Sequence, residues 1–531
     1  MYVKDGTYLI RLGGNMSKAN FMTMLQTENN SAKTFTENGA VAYRTSGKEL
    51  LDFNFKLSQY RNMTVKEIQN DFTKVFFENP LIVTKFVFYV GDIRGGLGER
   101  KIFNACITWL ANNKPEVALA LLKFIPEYTR WDNLAKLTMN NNVGDEALNI
   151  IKTQLKSDWD NMNQHKSVSL CAKWMPSVNA SSKETRRLAN YICARLETTP
   201  RQYRKMLAQL RKYIDVVEVK MSANDWGSIE YSAVPSQANL KYNSAFLKRD
   251  EERRRAYLAS LQKGETKINA SVAQPHEIVR RYSDGWYNAK PFDITLEEMW
   301  KALPNICVEN SLVVRDGSGS MGQRVGDGKT SCLDVATALA IYCAEHNSDI
   351  WKDKFITFSS RPSIVDLSNC ETLHDKLNRC YAEDDMSNTN IEATMRLILN
   401  TAVKNNCKQE DMPKNIVIIS DMQFDSSSSS DRYYGGMHWN KTLFEEIAEE
   451  YKRHGYKLPR ICFWNVCSRN FSTVPMQNNE LGLVLCSGFS ITNIKMFMSG
   501  KINPYEILLE QINSERYNVI EESVGKLLEN L

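Results

Sequence analysis

Apolar residues recur three and four positions apart from about Phe53 to about Tyr282, the spacing of one face of an α-helix. "TVKEIQNDFTKVFFENP" carries the pattern and stops at Pro80. "KIFNACITWLANN" and "PEVALALLKFIPEY" follow after short breaks, then "SKETRRLANYICARL", "TPRQYRKMLAQLRKYIDVVEVKM" and "NSAFLKRDEERRRAYLASLQKG". Thr199-Pro200 reads as an N-cap followed by proline at the first helical position. Many short amphipathic helices joined by tight turns predict a helical-repeat array of the HEAT-like kind, although no fixed period is legible.

The pattern changes near Leu296. Short β-branched runs then alternate with helical stretches: "SLVVRD", "DKFITFSS", "NIVIISD", "RICFWNVC" and "LGLVLCSG" read as strands, with "PSIVDL" a hairpin partner for the second. "CLDVATALAIYCAEHN", "TNIEATMRLILNTAVKN" and "KTLFEEIAEEYKRHGY" read as the helices between them. Such alternation predicts a doubly wound, mainly parallel sheet covered on both faces. The expected division is a helical-repeat domain over 1–295 and an α/β domain over 296–531. The final stretch, "PYEILLEQINSERYNVIEESVGKLLENL", is expected to be helical and to pack back on the first half.

Composition narrows this picture only a little. The 531 residues are 43% hydrophobic and 24% charged, with a formal net charge of +5, so any nucleic-acid reading must rest on a local concentration of charge. No apolar run is long enough to span a bilayer, and the opening "MYVKDGTYLIRLGG" has no signal-peptide core. The 12 cysteines form no C-x-x-C pair and read as reduced thiols of a cytoplasmic, membrane-free chain.

Candidate chemistry concentrates in "SLVVRDGSGSMGQRVGDGKTS", Ser311 to Ser331. Gly328-Lys329-Thr330 resembles the end of a phosphate loop, and Asp421 after "NIVIIS" could serve as its acid. The first glycine, however, falls at Gly322, one residue too early, and Asp316 would face the phosphates. A metal site needs less adjustment. Asp316 ends a strand, and Ser318 and Ser320 alternate on one side of an extended loop. Asp421 ends another strand, and Thr389 opens a helix. All are hard oxygen donors, a set suited to Mg²⁺ or Mn²⁺. The plainer alternative has the two serines capping the next helix.

This arrangement resembles the metal-ion-dependent adhesion site of von Willebrand factor A domains, with Asp316, Ser318, Ser320, Thr389 and Asp421 each at a matching position. The resemblance implies a site that binds an acidic residue of a partner and does no hydrolysis. "DSSSSSD", Asp425 to Asp431, follows Asp421 and reads as a solvent loop near the metal.

"FTENGAVAYRTSGKELLDF", "RGGLGERKIF", "YTRWDNL", "KWMPS", "TPRQYRKMLAQLR", "VVEVKMSANDWGSIEYSAVPS" and "YNSAFLKRD" occur in this order. Together they resemble TROVE-domain proteins of the Ro autoantigen type, in a branch found in plants, fungi, large DNA viruses and phages. That resemblance implies a ring of helical repeats joined to an A domain, and binding of single-stranded or small structured RNA. Between Ser181 and Met221 there are ten Lys or Arg against four Asp or Glu, enough to engage several phosphates. Lys173, Arg186, Arg187, Arg195, Arg201, Arg204, Lys205, Arg211 and Lys212 are the candidate RNA contacts. Trp174, Tyr203, Tyr213, Trp226 and Tyr231 lie among them as candidate stacking platforms. "RGGLGERKIF" reads as a tight helix–helix turn, with Arg94, Glu99 and Arg100 tying repeats together, and "KRDEERRRAY" as an exposed, salt-bridged helix face.

The expectation is an RNA-binding ribonucleoprotein component, not an enzyme, with a divalent metal used for binding. The rival is a metal-dependent protein-interaction or assembly module, such as a viral or phage structural protein, that binds no RNA.

Overall fold

A computed structural model describes residues 33–35, 41–283, 288–326, 328–358, 362–384, 390–424, 442–466, 474–477 and 479–529 of the chain. The first half is helical, after a two-stranded ribbon of β1 (Lys33–Phe35) and β2 (Val41–Tyr43). Its helices start where the chain supplies caps. Thr64 and Glu67 form a reciprocal capping box for Val65–Glu78, and Asn79 caps Pro80–Gly91 with proline in its first turn. Thr199 accepts from the Gln202 amide at 3.2 Å to open Pro200–Tyr213. "RGGLGER" makes the tight connection into Arg100–Asn113, and a Cβ on Gly96 would lie 1.9 Å from the Tyr89 carbonyl oxygen.

Two stretches depart from the periodic reading. The pattern over 243–264 is not one helix: the chain breaks at Asp250 between Ser236–Arg249 and Glu251–Gln262. "KRDEERRRAY" is also not wholly solvated. Arg255 pairs with Glu251 at the surface, but Arg254 is fully buried against the rings of Tyr231, Phe246 and Tyr257. Charge alternation cannot show which member of a run of arginines turns inward.

The second half holds a six-stranded sheet in the order β10-β9-β8-β3-β6-β7, where β3 is Ser311–Asp316, β6 Lys354–Phe358, β7 Ser363–Asp366, β8 Asn415–Ser420, β9 Arg460–Asn465 and β10 Leu483–Ser487. All pairings are parallel except that of the edge hairpin β6–β7. Every residue of β3, β8, β9 and β10 is buried. Alternate side chains point to opposite faces, so both faces of this part of the sheet are covered. A separate small hairpin, β4 (Arg324–Val325) with β5 (Thr330–Ser331), contains Gly-Lys-Thr, which therefore sits in a hairpin turn with Gly328 at positive φ.

The two halves meet at the carboxyl rim of the sheet and along the last helices. The Ser58 amide donates to Ser487 Oγ at 3.0 Å and Asn465 Nδ2 to the Phe55 carbonyl at 3.0 Å, so the ends of β9 and β10 are covered by the first helices. The final stretch forms two helices, Pro504–Ile512 and Asn518–Leu528. Between them Arg516 pairs with buried Asp92 and Tyr517 Oη donates to Asp92 at 3.0 Å, and from the second helix Glu521 receives Lys85 at 2.7 Å. Among the described residues no helix is long and apolar enough to cross a membrane.

Candidate functional site

The order of the strands explains why the unusual loop lies where it does. From β3 the chain crosses to β6 on one side, and it later returns to place β8 on the other. The carboxyl ends of β3 and β8 therefore flank the switch point of the sheet, where open parallel sheets leave a crevice. Asp316 ends β3, and Asp421 directly follows β8.

The local bonds turn these groups toward one another. Asp316 Oδ1 accepts the Ser318 amide at 2.9 Å, and Oδ2 accepts Ser420 Oγ at 2.6 Å. Ser318 and Ser320 share a hydrogen bond of 2.9 Å between their hydroxyls. Ser318 makes no side-chain cap to the following short helix, while Ser331 does cap Cys332–Glu345, so the serines of the loop are not spent on capping. Met422, at a φ of 62°, swings the chain after β8 so that Asp421 Oδ1 receives the Gln423 amide at 3.2 Å. Asp316, Ser318 and Asp421 are all buried. Burial, and then the nearby Asp421 carboxylate, push the Asp316 carboxyl up to about 7.

Two buried carboxylates that repel each other, beside two hydroxyls, form an all-oxygen set that fits a hard dication. Among the described residues no three His, Cys, Asp or Glu side chains gather as a metal cluster; here part of the oxygen set comes from serine. Thr389 lies outside the described residues, as does the "DSSSSSD" segment. Asn390, the next residue, caps Ile391–Lys404 by accepting the Ala393 amide at 2.8 Å.

Two neighbours escaped the sequence reading. Ser420 holds Asp316, and its only signal was a polar residue closing "NIVIIS". Arg315 is fully buried, donates to Thr337 Oγ1 at 3.0 Å and pairs with Asp384. This ion pair ties the end of the helix Leu373–Ala382 to the mouth of β3. Its signal was one charge inside an otherwise apolar strand.

The basic residues of the first half divide into two groups. Arg186 donates to the carbonyls of Ala180 and Ser181, both at 2.7 Å, and Arg195 pairs with Asp145. Arg211 binds the Ala172 and Met175 carbonyls and Ser177 Oγ, so it braces the Cys171–Trp174 turn. Arg187, Arg201, Arg204, Lys205 and Lys212 are exposed, and Lys173 is half-buried.

Lys173, Arg187 and Arg211 line one cleft of about 1120 Å³ together with Arg100 and Lys136, facing the acids Asp132, Glu184 and Glu218. Burial, and then Arg100, hold the Lys136 ammonium below its usual range. Trp174 also lines this cleft, with Arg130 4.2 Å and Lys173 5.6 Å from its ring centre. Tyr203 and Tyr231 are buried and present no face to a base. Arg100 and Lys136 were not expected there. Arg94 and Glu99 tie elements together as expected, Arg94 to the Glu127 carbonyl at 2.9 Å and Glu99 to Arg61 at 2.7 Å, and Arg100 does so through Asp132.

Comparison with known proteins places the chain. The family model "Domain of unknown function (DUF2828)" matches residues 36–136 and 147–306, and "Domain of unknown function (DUF7788)" matches 310–525. The "Uncharacterized protein L728" of Acanthamoeba polyphaga mimivirus is 30% identical over 519 residues, covering 90% of this chain and 86% of that protein. The chain belongs to this DUF2828–DUF7788 family. The basic residues fall in the DUF2828 match, and Asp316, Ser318, Ser320, Thr389 and Asp421 all fall in the DUF7788 match. The boundary between the two matches, 306 to 310, lies just before β3.

Proposed function

We propose that this protein binds RNA through its helical half and carries a divalent-cation site of the A-domain kind at the rim of its sheet. The observation that supports the RNA reading most strongly is the cleft beside Trp174. Its cations outnumber its acids, and an indole stands at its wall next to Lys173. Such a cleft suits a single strand, whose phosphates meet the cations and whose bases stack on the ring. The exposed Arg201, Arg204, Lys205 and Lys212 extend the positive surface along one helix. A ring-like closure of the helical repeats, as in Ro-type proteins, belongs to the same reading.

The test is competition binding of a short single-stranded RNA to the full chain. Lys173→Glu with Arg187→Glu should weaken binding at least tenfold, while charge reversal at the distant Arg255 should leave it unchanged. Equal losses from both would overturn the assignment of the cleft.

The cation site supports a second activity. Asp316, Ser318, Ser320 and Asp421, with Thr389 from the adjoining segment, would hold Mg²⁺ or Mn²⁺. An acidic residue of a protein partner would complete the coordination. We expect Mg²⁺ to raise the melting temperature of the wild type and chelator to reverse the rise. Asp316→Ala should abolish the response, because binding to the native state alone stabilises it. An unchanged response in Asp316→Ala would remove this site from the account. If RNA binding fails while the metal response persists, the protein is better read as a metal-dependent assembly module.

A further inference from the structure

The small hairpin that follows the metal loop leans on the helical half. β4 and β5 pair at two positions, Arg324 with Ser331 and Val325 with Thr330, and a ladder that short is marginal by itself. Two bonds from the other half hold it. The Gly326 amide donates at 2.9 Å to Oδ1 of Asn62, just past the helix Leu57–Tyr60. Arg280, in the helix Pro275–Tyr282, donates through Nη1 to Thr330 Oγ1 at 3.1 Å. Val325 and Thr330 are buried and face the seam between the halves together with Ile93, Leu97 and Phe489. The helix Pro275–Tyr282 also packs on β5 and on the helix Cys332–Glu345 that follows it.

The base of this hairpin is bonded to the metal loop. The Gln323 amide donates to the Ser320 carbonyl at 3.1 Å, and the Gln323 carbonyl accepts the Cys332 amide at 3.0 Å. The Met321 amide closes onto the Ser318 carbonyl at 3.0 Å. The backbone that carries the Ser318 and Ser320 hydroxyls is thus set from the hairpin side. The loop needs such support. Gly317, Gly319 and Gly322 give it conformational freedom, which a cation would otherwise have to remove on binding. Ordering the loop beforehand lowers that entropic cost and raises affinity without adding a ligand.

We propose that Asn62 and Arg280 are positioning residues of the cation site. Acting through the β4–β5 hairpin, they keep Ser318 and Ser320 ordered, so that Mg²⁺ binds tightly only while the two halves are docked. The inference rests on the cation reading and names what regulates that site. The coupling is reciprocal by linkage: if docking of the hairpin strengthens cation binding, the cation strengthens docking by the same factor. Occupancy of the site therefore tightens the grip of the helical half on the hairpin, and loosening that grip releases the cation.

The test uses the full chain and Mg²⁺ alone, followed by calorimetry and by amide exchange. In the wild type Mg²⁺ should slow exchange across residues 320–331 and, from the far side of the seam, across 60–63 and 275–282. Asn62→Ala with Thr330→Val removes both acceptors. It should weaken Mg²⁺ binding at least fivefold, with the unfolding midpoint in chelator unchanged. Asn62→Ala with Thr330→Ser returns a hydroxyl to Arg280 and should bind Mg²⁺ more tightly than the valine variant. A wild type that binds no Mg²⁺ removes the cation site and this inference together. Mg²⁺ binding that leaves exchange at 60–63 and 275–282 unchanged, or a valine variant with wild-type affinity, overturns the inference and leaves the site standing. An earlier unfolding midpoint in chelator would assign the two bonds to the fold and overturn it as well. The exchange measurement needs no variant to fold.

Discussion

Arg315 and Asp384 show how much of the site depends on side chains that never touch a ligand. Both side chains are buried, and their pairing holds Asp384, just past the helix Leu373–Ala382, at the mouth of β3. Gly317 lies between them and the loop, where a Cβ would stand 2.4 Å from Asp384 Oδ1. Removing one partner of such a pair leaves an uncompensated buried charge. Asp384→Ala should therefore cost about 3–5 kcal/mol in urea unfolding, and a loss under about 1 kcal/mol would show that the pair is not carrying the loop. At this scale the sequence was legible where chemistry is local. Asp316, Ser318 and Ser320 announce themselves by alternation, but Arg315 and Asp384 are 69 residues apart, and no local pattern joins them. The same holds for Arg254, which reads as one more surface cation and is buried among rings.

Among elements, caps and periodicity carried the reading well. Pro80 marks the helix stop, and Thr199 with Pro200 the helix start, that the structure bears out, as it does the β6–β7 hairpin. Breaks inside amphipathic runs were not visible, because a turn at Asp250 or at Ser514 interrupts the backbone without changing the apolar rhythm. The helix Pro200–Tyr213 separates folding from binding cleanly. Thr199→Ala removes its reciprocal cap and should cost about 1 kcal/mol of stability with RNA affinity unchanged. Arg201→Glu with Arg204→Glu touches only exposed positions. It should leave unfolding within about 0.5 kcal/mol of wild type while weakening RNA binding. A double variant that unfolds early would mean these residues serve the fold.

For the whole molecule, the seam decides whether the two family matches act as one body. Asp92 is buried where the helical half receives Arg516 and Tyr517, and it also accepts the Arg94 amide at 3.0 Å. Asp92→Ala should cost about 3–5 kcal/mol and split a single thermal transition into two; one transition at the wild-type temperature would show that the halves dock without it. Sequence alone foresaw that the C-terminal stretch packs back, but not that buried Asp92 receives Arg516 and Tyr517 there.

The central claim is that a positive face of the helical half engages an RNA backbone. The most direct measurement is the affinity of the full chain for a single-stranded RNA between 50 and 200 mM salt. Engagement of about five phosphates predicts a log–log slope of about −3.5 and a loss of about 100-fold over that range, with a shallower slope in Arg201→Glu, Arg204→Glu. An affinity that stays flat with salt, or a slope unchanged in that variant, would contradict it.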